Sequence, residues 1–189
     1  MSEQSLDLSR SWTEAEYLAL GELDVRTELV DGKIQVSPSP SRPHQGISRH
    51  LANLLEPAAF AAGLTLFEAV DVRIGPGTIV CPDVLVEKLS WASGVAEAAD
   101  VTLVAEVTSP SNARWDREEK KERYAAAGIP WHLLVEPERR ELRSVTLRLH
   151  RLDGARYVEH AVAGPGRTLR SDDPFPIAIR TDRLVRPLP

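Results

Sequence analysis

Ile47, Leu51, Leu54, Leu55 and Ala58 recur at i, i+4, i+7, i+8 and i+11, the spacing of a single helical face. This stripe predicts an amphipathic helix from about His44, kinked or ended at Pro57, with Gly63 at its exit. Extended segments follow at Leu64–Ile74, Ile79–Glu87 and Val101–Val107. The run Val101-Thr102-Leu103-Val104-Ala105 is apolar on both faces, as a strand covered from both sides requires. A strongly charged helix is expected over Ala113–Ala127, stopped by Gly128, and a strand over Trp131–Val135 ends at Pro137. The order strand, helix, strand implies a crossover and a sheet with helices packed on it. Asp31-Gly32 inside Leu29–Ile34 reads as a tight hairpin turn, and so does Asp153-Gly154 between Arg140–Arg151 and Ala155–Val162. Together these elements predict an α/β fold: a central mixed sheet flanked by helices, with antiparallel hairpin additions at one edge.

Composition narrows the class without changing that picture. The chain has 189 residues, 42% hydrophobic and 27% charged, the profile of an ordinary globular domain. We expect one domain over 1–189, with its core at about 28–137 and a C-terminal β-hairpin and tail over 138–189. The formal net charge of −5 excludes a basic, sequence-blind nucleic-acid coat but leaves room for a local cationic groove or an acidic metal site. Cys81 is the sole cysteine, so neither an intramolecular disulfide nor a thiolate-rich zinc cluster can form within one chain. The segment Met1–Ser5 lacks the cationic start and apolar core of a signal peptide, and no apolar run reaches the roughly 20 residues of a membrane span. A cytoplasmic protein without a membrane partner is the expectation.

Two carboxylates stand where strand physics disfavours them. Asp83 interrupts Ile79–Val86, and Glu106 follows the apolar run that starts at Val101. An unpaired buried carboxylate costs several kcal/mol, so each needs a cation, hydrogen-bond donors or a water-filled cleft. If their strands pair, the two side chains share one face, and at about 4 Å they repel by roughly 4 kcal/mol at an effective dielectric of 20. A divalent metal reverses that penalty; the plainer reading is that both sit at exposed strand ends. Asp116–Arg123 is an unbroken charged run in a helix that must still face the sheet. Its inward stripe is read as Asp116, Lys120, Tyr124 and Ala127, which leans Lys120 toward the strand carrying Glu106. A lysine there would stabilise charge on a phosphate; the alternative is an exposed Asp116–Lys120 pair. Periodicity alone leaves Lys121 open as the inward lysine.

These residues carry a resemblance. Pro82-Asp83, Glu106-Val107, Ser109-Pro110-Ser111, Asp116 with Lys120 and Tyr124, and Gly128-Ile129-Pro130-Trp131 resemble, in that order, the Uma-type family of restriction-endonuclease-like proteins. That family lies within the PD-(D/E)XK nuclease superfamily. The likeness also takes in Glu28–Gly32 and the His44 helix, and so spans about Glu28 to Pro137. It implies the restriction-endonuclease-like fold and metal-dependent endonucleolytic hydrolysis of DNA phosphodiester bonds. By position it implies Asp83 and Glu106 as catalytic metal ligands, Glu28 as a further metal ligand, and Lys120 as the catalytic lysine. Mg²⁺ is the implied cofactor, with Mn²⁺ as substitute. The superfamily usually places its lysine two residues after the second acid, where this chain has Thr108; Lys120 matches the lysine that this family carries on the following helix. A homodimer fits a reaction that cuts both strands of a duplex.

A DNA-contacting surface is read at Arg139, Arg140 and Arg143, part of an arginine-rich stretch to Arg156; the other reading is a solvated hairpin face. His44 and His50, six apart, are about 240° around a helix and cannot chelate one metal from one face. His44 is read as a cap or packing residue, with a site role left open by the resemblance. Gly75-Pro76-Gly77 and Gly164-Pro165-Gly166 lack the spacing of a phosphate loop and read as turns, and no Gly-x-Ser-x-Gly elbow is present. Trp12, Trp91, Trp115 and Trp131 are scattered as packing residues, and Cys81 reads as an inert buried thiol. Two competitors to the nuclease stand: a catalytically inactive DNA-binding or protein-interaction module on the same fold, and a phosphoesterase acting on something other than DNA.

Overall fold

A computed structural model describes residues 6–21, 23–88, 94–108, 118–138 and 144–185. Its first hairpin, β1 (Arg26–Val30) and β2 (Lys33–Ser37), turns at Asp31 and Gly32 with φ of 51° and 73°. Positive φ at both central residues is what a two-residue hairpin turn demands, and Asp-Gly supplies it cheaply. A short helix α1 (Glu14–Leu18) precedes it, closed by a reciprocal cap between Thr13 and Glu16. That Thr-x-x-Glu spacing is a helix-start signal in the sequence which the reading above passed over.

Helix α2 (Arg42–Ala61) starts slightly before the expected position, with Ser41 as its N-cap. Pro57 does not end it: the helix runs on to Ala61. Proline removes the N–H that would bond the Asn53 carbonyl, but Asn53 and Pro57 both lie on the exposed side of the helix, where a lost backbone bond costs least.

Two segments expected to be continuous are each broken between sheets. Leu64–Ile74 splits into β3 (Leu64–Glu68) and β4 (Val72–Gly75), separated at Ala69, whose φ is 53°. Ile79–Glu87 splits into β5 (Thr78–Val80) and β6 (Val84–Lys88). The intervening Cys81-Pro82-Asp83 carries the chain from one sheet to the other, and Pro82 has no N–H to continue a ladder. Strands β7 (Ala96–Glu97), β8 (Val101–Val107), β9 (Trp131–Pro137), β10 (Val145–Asp153), β11 (Arg156–Ala163), β12 (Thr168–Ser171) and β13 (Ile177–Arg180) complete the set, with α3 (Lys120–Ala126) between β8 and β9.

Three sheets result. The largest runs β11-β10-β9-β8-β6-β3, and a second runs β2-β1-β5-β4-β7; β12 and β13 pair separately. In the large sheet β8 and β9 are parallel and their other pairings antiparallel, so it is mixed as expected, with β10 and β11 as the antiparallel extension. Its β8 is buried on both faces. Leu103 and Ala105 pack with Ile47, Leu51 and Leu55 of α2, while Val104 packs with Tyr124 of α3 and with Val30, Val72 and Val80 of the second sheet. Leu169, Phe175, Ile177 and Ile179 close the α2 side. Among the described residues no helix is long and apolar enough to cross a membrane.

Candidate active site

Three elements, β1, α2 and α3, converge at one end of the β6–β8 pair. On β1, Arg26 and Glu28 alternate onto the face that also carries Val30, toward the layer between the two sheets. In the antiparallel pair β6–β8, Val84 opposes Ala105 and Leu85 opposes Val104. Continuing that register by one residue sets Asp83 opposite Glu106, an arrangement with Cβ atoms about 5 Å apart. The first turns of α3 bring Lys120 and Tyr124 onto the same layer, one turn apart. The first turn of α2 adds His44.

One half of the site is built on Lys120. Its Nζ lies 2.7 Å from Glu28 Oε1 and 3.1 Å from Glu106 Oε1, and it donates to the Cys81 carbonyl at 3.5 Å. The Tyr124 hydroxyl donates to the same Glu106 Oε1 at 2.7 Å, and the Cys81 N–H donates to Glu28 Oε1 at 2.9 Å. Glu28 and Lys120 are 2% exposed and Glu106 1%, so this is an interior charge cluster with ionic and hydrogen-bonding partners on every member. Burial, the Glu106 charge and the Glu28 charge push the Tyr124 hydroxyl well above its ordinary range, which keeps it a donor.

The other half is built on Asp83. Arg26 NH1 holds its Oδ1 at 3.0 Å, His44 Nε2 lies 3.2 Å from its Oδ2, and the Val107 N–H donates to Oδ2 at 2.8 Å. Burial alone would raise this carboxyl, but His44, Arg26 and the Val107 N–H together hold it down to about 2. The converse applies to His44: burial opposes its charge, yet the bond to Asp83 raises its pKa above the ordinary imidazole value. His44 Nε2 also lies 2.9 Å from the Val107 carbonyl, while its main-chain N–H is capped by Ser41 Oγ at 3.4 Å. The Cys81 carbonyl links the halves, since both Arg26 and Lys120 donate to it.

The oxygen donors here are the carboxylates of Asp83, Glu106 and Glu28 and main-chain carbonyls. That suits a hard cation such as Mg²⁺, which takes one or two carboxylates and keeps several waters. No group of three or more His, Cys, Asp or Glu side chains able to hold a metal occurs among the described residues. Asp83 and Glu106 fit the cation by donor type and by their shared position at the end of β6 and β8. Glu28 is turned instead toward Lys120 and Cys81.

Asp83, Glu106, Lys120 and Glu28, far apart in the sequence, lie in one region, where the carboxylates that Lys120 meets are those of Glu28 and Glu106 and not that of Asp83. Lys121, left open by periodicity, lies outside the cluster and is half-buried among Glu159, Arg148 and Glu136. His50 faces away, with its Nδ1 at 3.0 Å from the Leu184 carbonyl. Cys81 is buried, and burial beside Asp71 and Glu28 pushes its thiol up to about 12. Arg26 was missed. The signal was available, because it stands two residues before Glu28 on the same face of a strand. Arg139, Arg140 and Arg143, like Ser109–Ser111, Asp116, Trp91, Trp115 and the first turns of the expected second helix, lie outside the described residues. Of the neighbouring arginines, Arg148 is held by Glu136 and Glu159 at 2.8 and 2.6 Å.

Comparison with solved structures finds the same fold in a chain described as a "putative nuclease belonging to DUF820 from Anabaena variabilis ATCC 29413". The TM-score is 0.63 at 17% identity, over 82% of this chain and 85% of that one. No curated protein matches the sequence. The Uma2 family, described as "Putative restriction endonuclease", matches residues 14–184, and the chain therefore belongs to it.

Proposed function

We propose that the chain is a metal-dependent endonuclease that hydrolyses DNA phosphodiester bonds at the Asp83–Glu106 site. The observation that carries this reading is the buried lysine between two acids, beside a third acid on the neighbouring strand. Asp83 and Glu106 would hold Mg²⁺, or Mn²⁺ in its place, with the Val107 carbonyl nearby. Bound there, the cation supplies Lewis-acid polarisation of a phosphoryl oxygen and a coordinated water of lowered pKa. Glu28 and Glu106 fix the Lys120 ammonium in place, so a positive charge is oriented before substrate arrives. Its longest contact, to the Cys81 carbonyl at 3.5 Å, is the one a phosphate oxygen would replace. Tyr124 holds the Glu106 carboxylate in position through Oε1. Arg26 and His44 keep Asp83 ionised and add positive charge beside the phosphate. A cytoplasmic location and a homodimer, one site for each strand, belong to the same proposal.

One observation favours a second reading, a non-catalytic binding module. Lys120 is almost wholly buried, and its contacts reach two acids and a carbonyl of the protein itself. The two readings separate on incubation of purified protein with plasmid and linear DNA in Mg²⁺ or Mn²⁺. We expect cleavage that disappears in Asp83→Ala and in Lys120→Ala. Cleavage that survives both substitutions overturns the assignment of this site, and no cleavage by the wild type favours the binding module.

A further inference from the structure

We propose that the outer face at the start of α2 forms a phosphate subsite, which receives a phosphodiester of the same nucleic-acid strand next to the one held at Asp83. This rests on the nuclease reading of the adjoining site. A cavity of about 500 Å³ opens beside Asp83, and Arg26, Arg42, His44, Gly46 and Arg49 help to line it. Arg42, Gly46 and Arg49 recur at helical spacing along one side of α2, while Ile47, Leu51 and Leu55 on the opposite side are buried in the core.

The charges facing the cavity do not cancel. Of its two lining carboxylates, Asp83 is met by Arg26 at 3.0 Å and Glu68 by Arg49 at 2.9 Å. Arg42 has no ion-pair partner among the described residues, so it stands in excess, and His44 lines the same cavity. Guanidinium groups present planar forks of donors that match phosphate oxygens. The presence of Asp83 disfavours an isolated anion at the inner end and favours one anchored from outside. A nucleic-acid strand, whose phosphates are joined in sequence, meets that condition.

Gly46 is the second, independent observation. Glycine in a helix interior destabilises relative to alanine. Yet a Cβ added at Gly46 would meet nothing within 4 Å, and its backbone is not in the left-handed region. Neither packing nor conformation calls for glycine. Its missing side chain leaves the cavity open between Arg42 and Arg49.

The test measures binding of a short fluorescent DNA duplex to the full chain by anisotropy, in EDTA and across a salt series. Arg42→Ala should weaken binding by about fivefold or more at low salt and reduce the salt slope by about 0.9, the loss of one phosphate contact. Gly46→Leu should abolish most binding while its melting temperature stays at or above that of the wild type. Arg180→Ala, which removes an exposed arginine held by Asp182, should bind as the wild type does. Wild-type binding in both α2 variants, a loss no greater than in Arg180→Ala, or absence of DNA binding by the wild type would each overturn the subsite. Cleavage in Mg²⁺ is read separately. A wild type that cleaves, with an Arg42→Ala variant that binds and cleaves equally well, removes the subsite and leaves the nuclease standing. Binding that depends on Arg42 and Gly46 without any cleavage does the reverse.

Discussion

The Lys120 ammonium lies 2.7 Å from the Glu28 carboxylate in the interior, joining the first turn of α3 to β1 across the layer between the two sheets. Removing one partner from a buried ion pair leaves an uncompensated charge, at a cost of about 3–5 kcal/mol. Lys120→Met should therefore lower stability by about that amount, because Glu28 and Glu106 both lose their cation. Chemical denaturation tests this. A loss below about 1 kcal/mol would mean that the cluster is open to water.

Tyr124→Phe removes one hydrogen bond to Glu106 and leaves the Lys120 contact in place. A buried acceptor deprived of one donor costs about 1–3 kcal/mol, and the ring volume is unchanged. We expect a stability loss in that range together with slower DNA cleavage, since Glu106 becomes freer to rotate. Unchanged cleavage with reduced stability would restrict Tyr124 to packing.

Behind the site, His132 and His150 face each other in register on β9 and β10 with ring centroids 5.5 Å apart. Both nitrogens of His132 and the Nδ1 of His150 lack hydrogen-bond partners among the described residues. Burial is the main cause that pushes His132 well below its ordinary value and His150 down to about 4. Groups held neutral in the folded state bind protons more readily when unfolded. Stability is thus fully present above the unfolded pKa near 6.5 and falls as pH drops toward 4. The double variant His132→Leu/His150→Leu should flatten that limb in a pH series of denaturation midpoints. An unchanged slope would contradict the prediction.

His44 titrates in the opposite sense. Its raised pKa means that its pairing with Asp83 stabilises the fold below pH 6.5 and is lost as pH rises through the folded value. In a ¹³C or ¹⁵N titration, the wild-type midpoint should lie above 6.5. Asp83→Asn should lower it, because only the Val107 carbonyl then opposes burial and Arg26. A midpoint insensitive to Asp83→Asn would separate the two residues.

The site was legible where local pattern and topology agree. Glu106 declares itself as an acid within an apolar strand, and Lys120 as a cation four residues before Tyr124 on an inward stripe. The division into two sheets was not legible, because β5 and β6 read as one apolar run and only the crossing at Cys81–Asp83 separates them. Pro82 was the available signal. Arg26 was readable only through Glu28, two residues further along the same face, because β1 joins the other sheet and its own pattern does not say that this face meets the end of β6. His44 was read as a cap or packing residue, with a site role left open by the resemblance. Its main chain is capped by Ser41, but its side chain serves Asp83, a contact fixed by how α2 lies across the large sheet.

The central claim, that Asp83 and Glu106 share a divalent cation, is tested most directly by diffraction from crystals grown with Mn²⁺, with data collected to reveal its anomalous signal. The account predicts an anomalous peak beside Asp83 and Glu106, with Lys120 still next to Glu106. An empty position there, with Arg26 and His44 unmoved on Asp83, would contradict it.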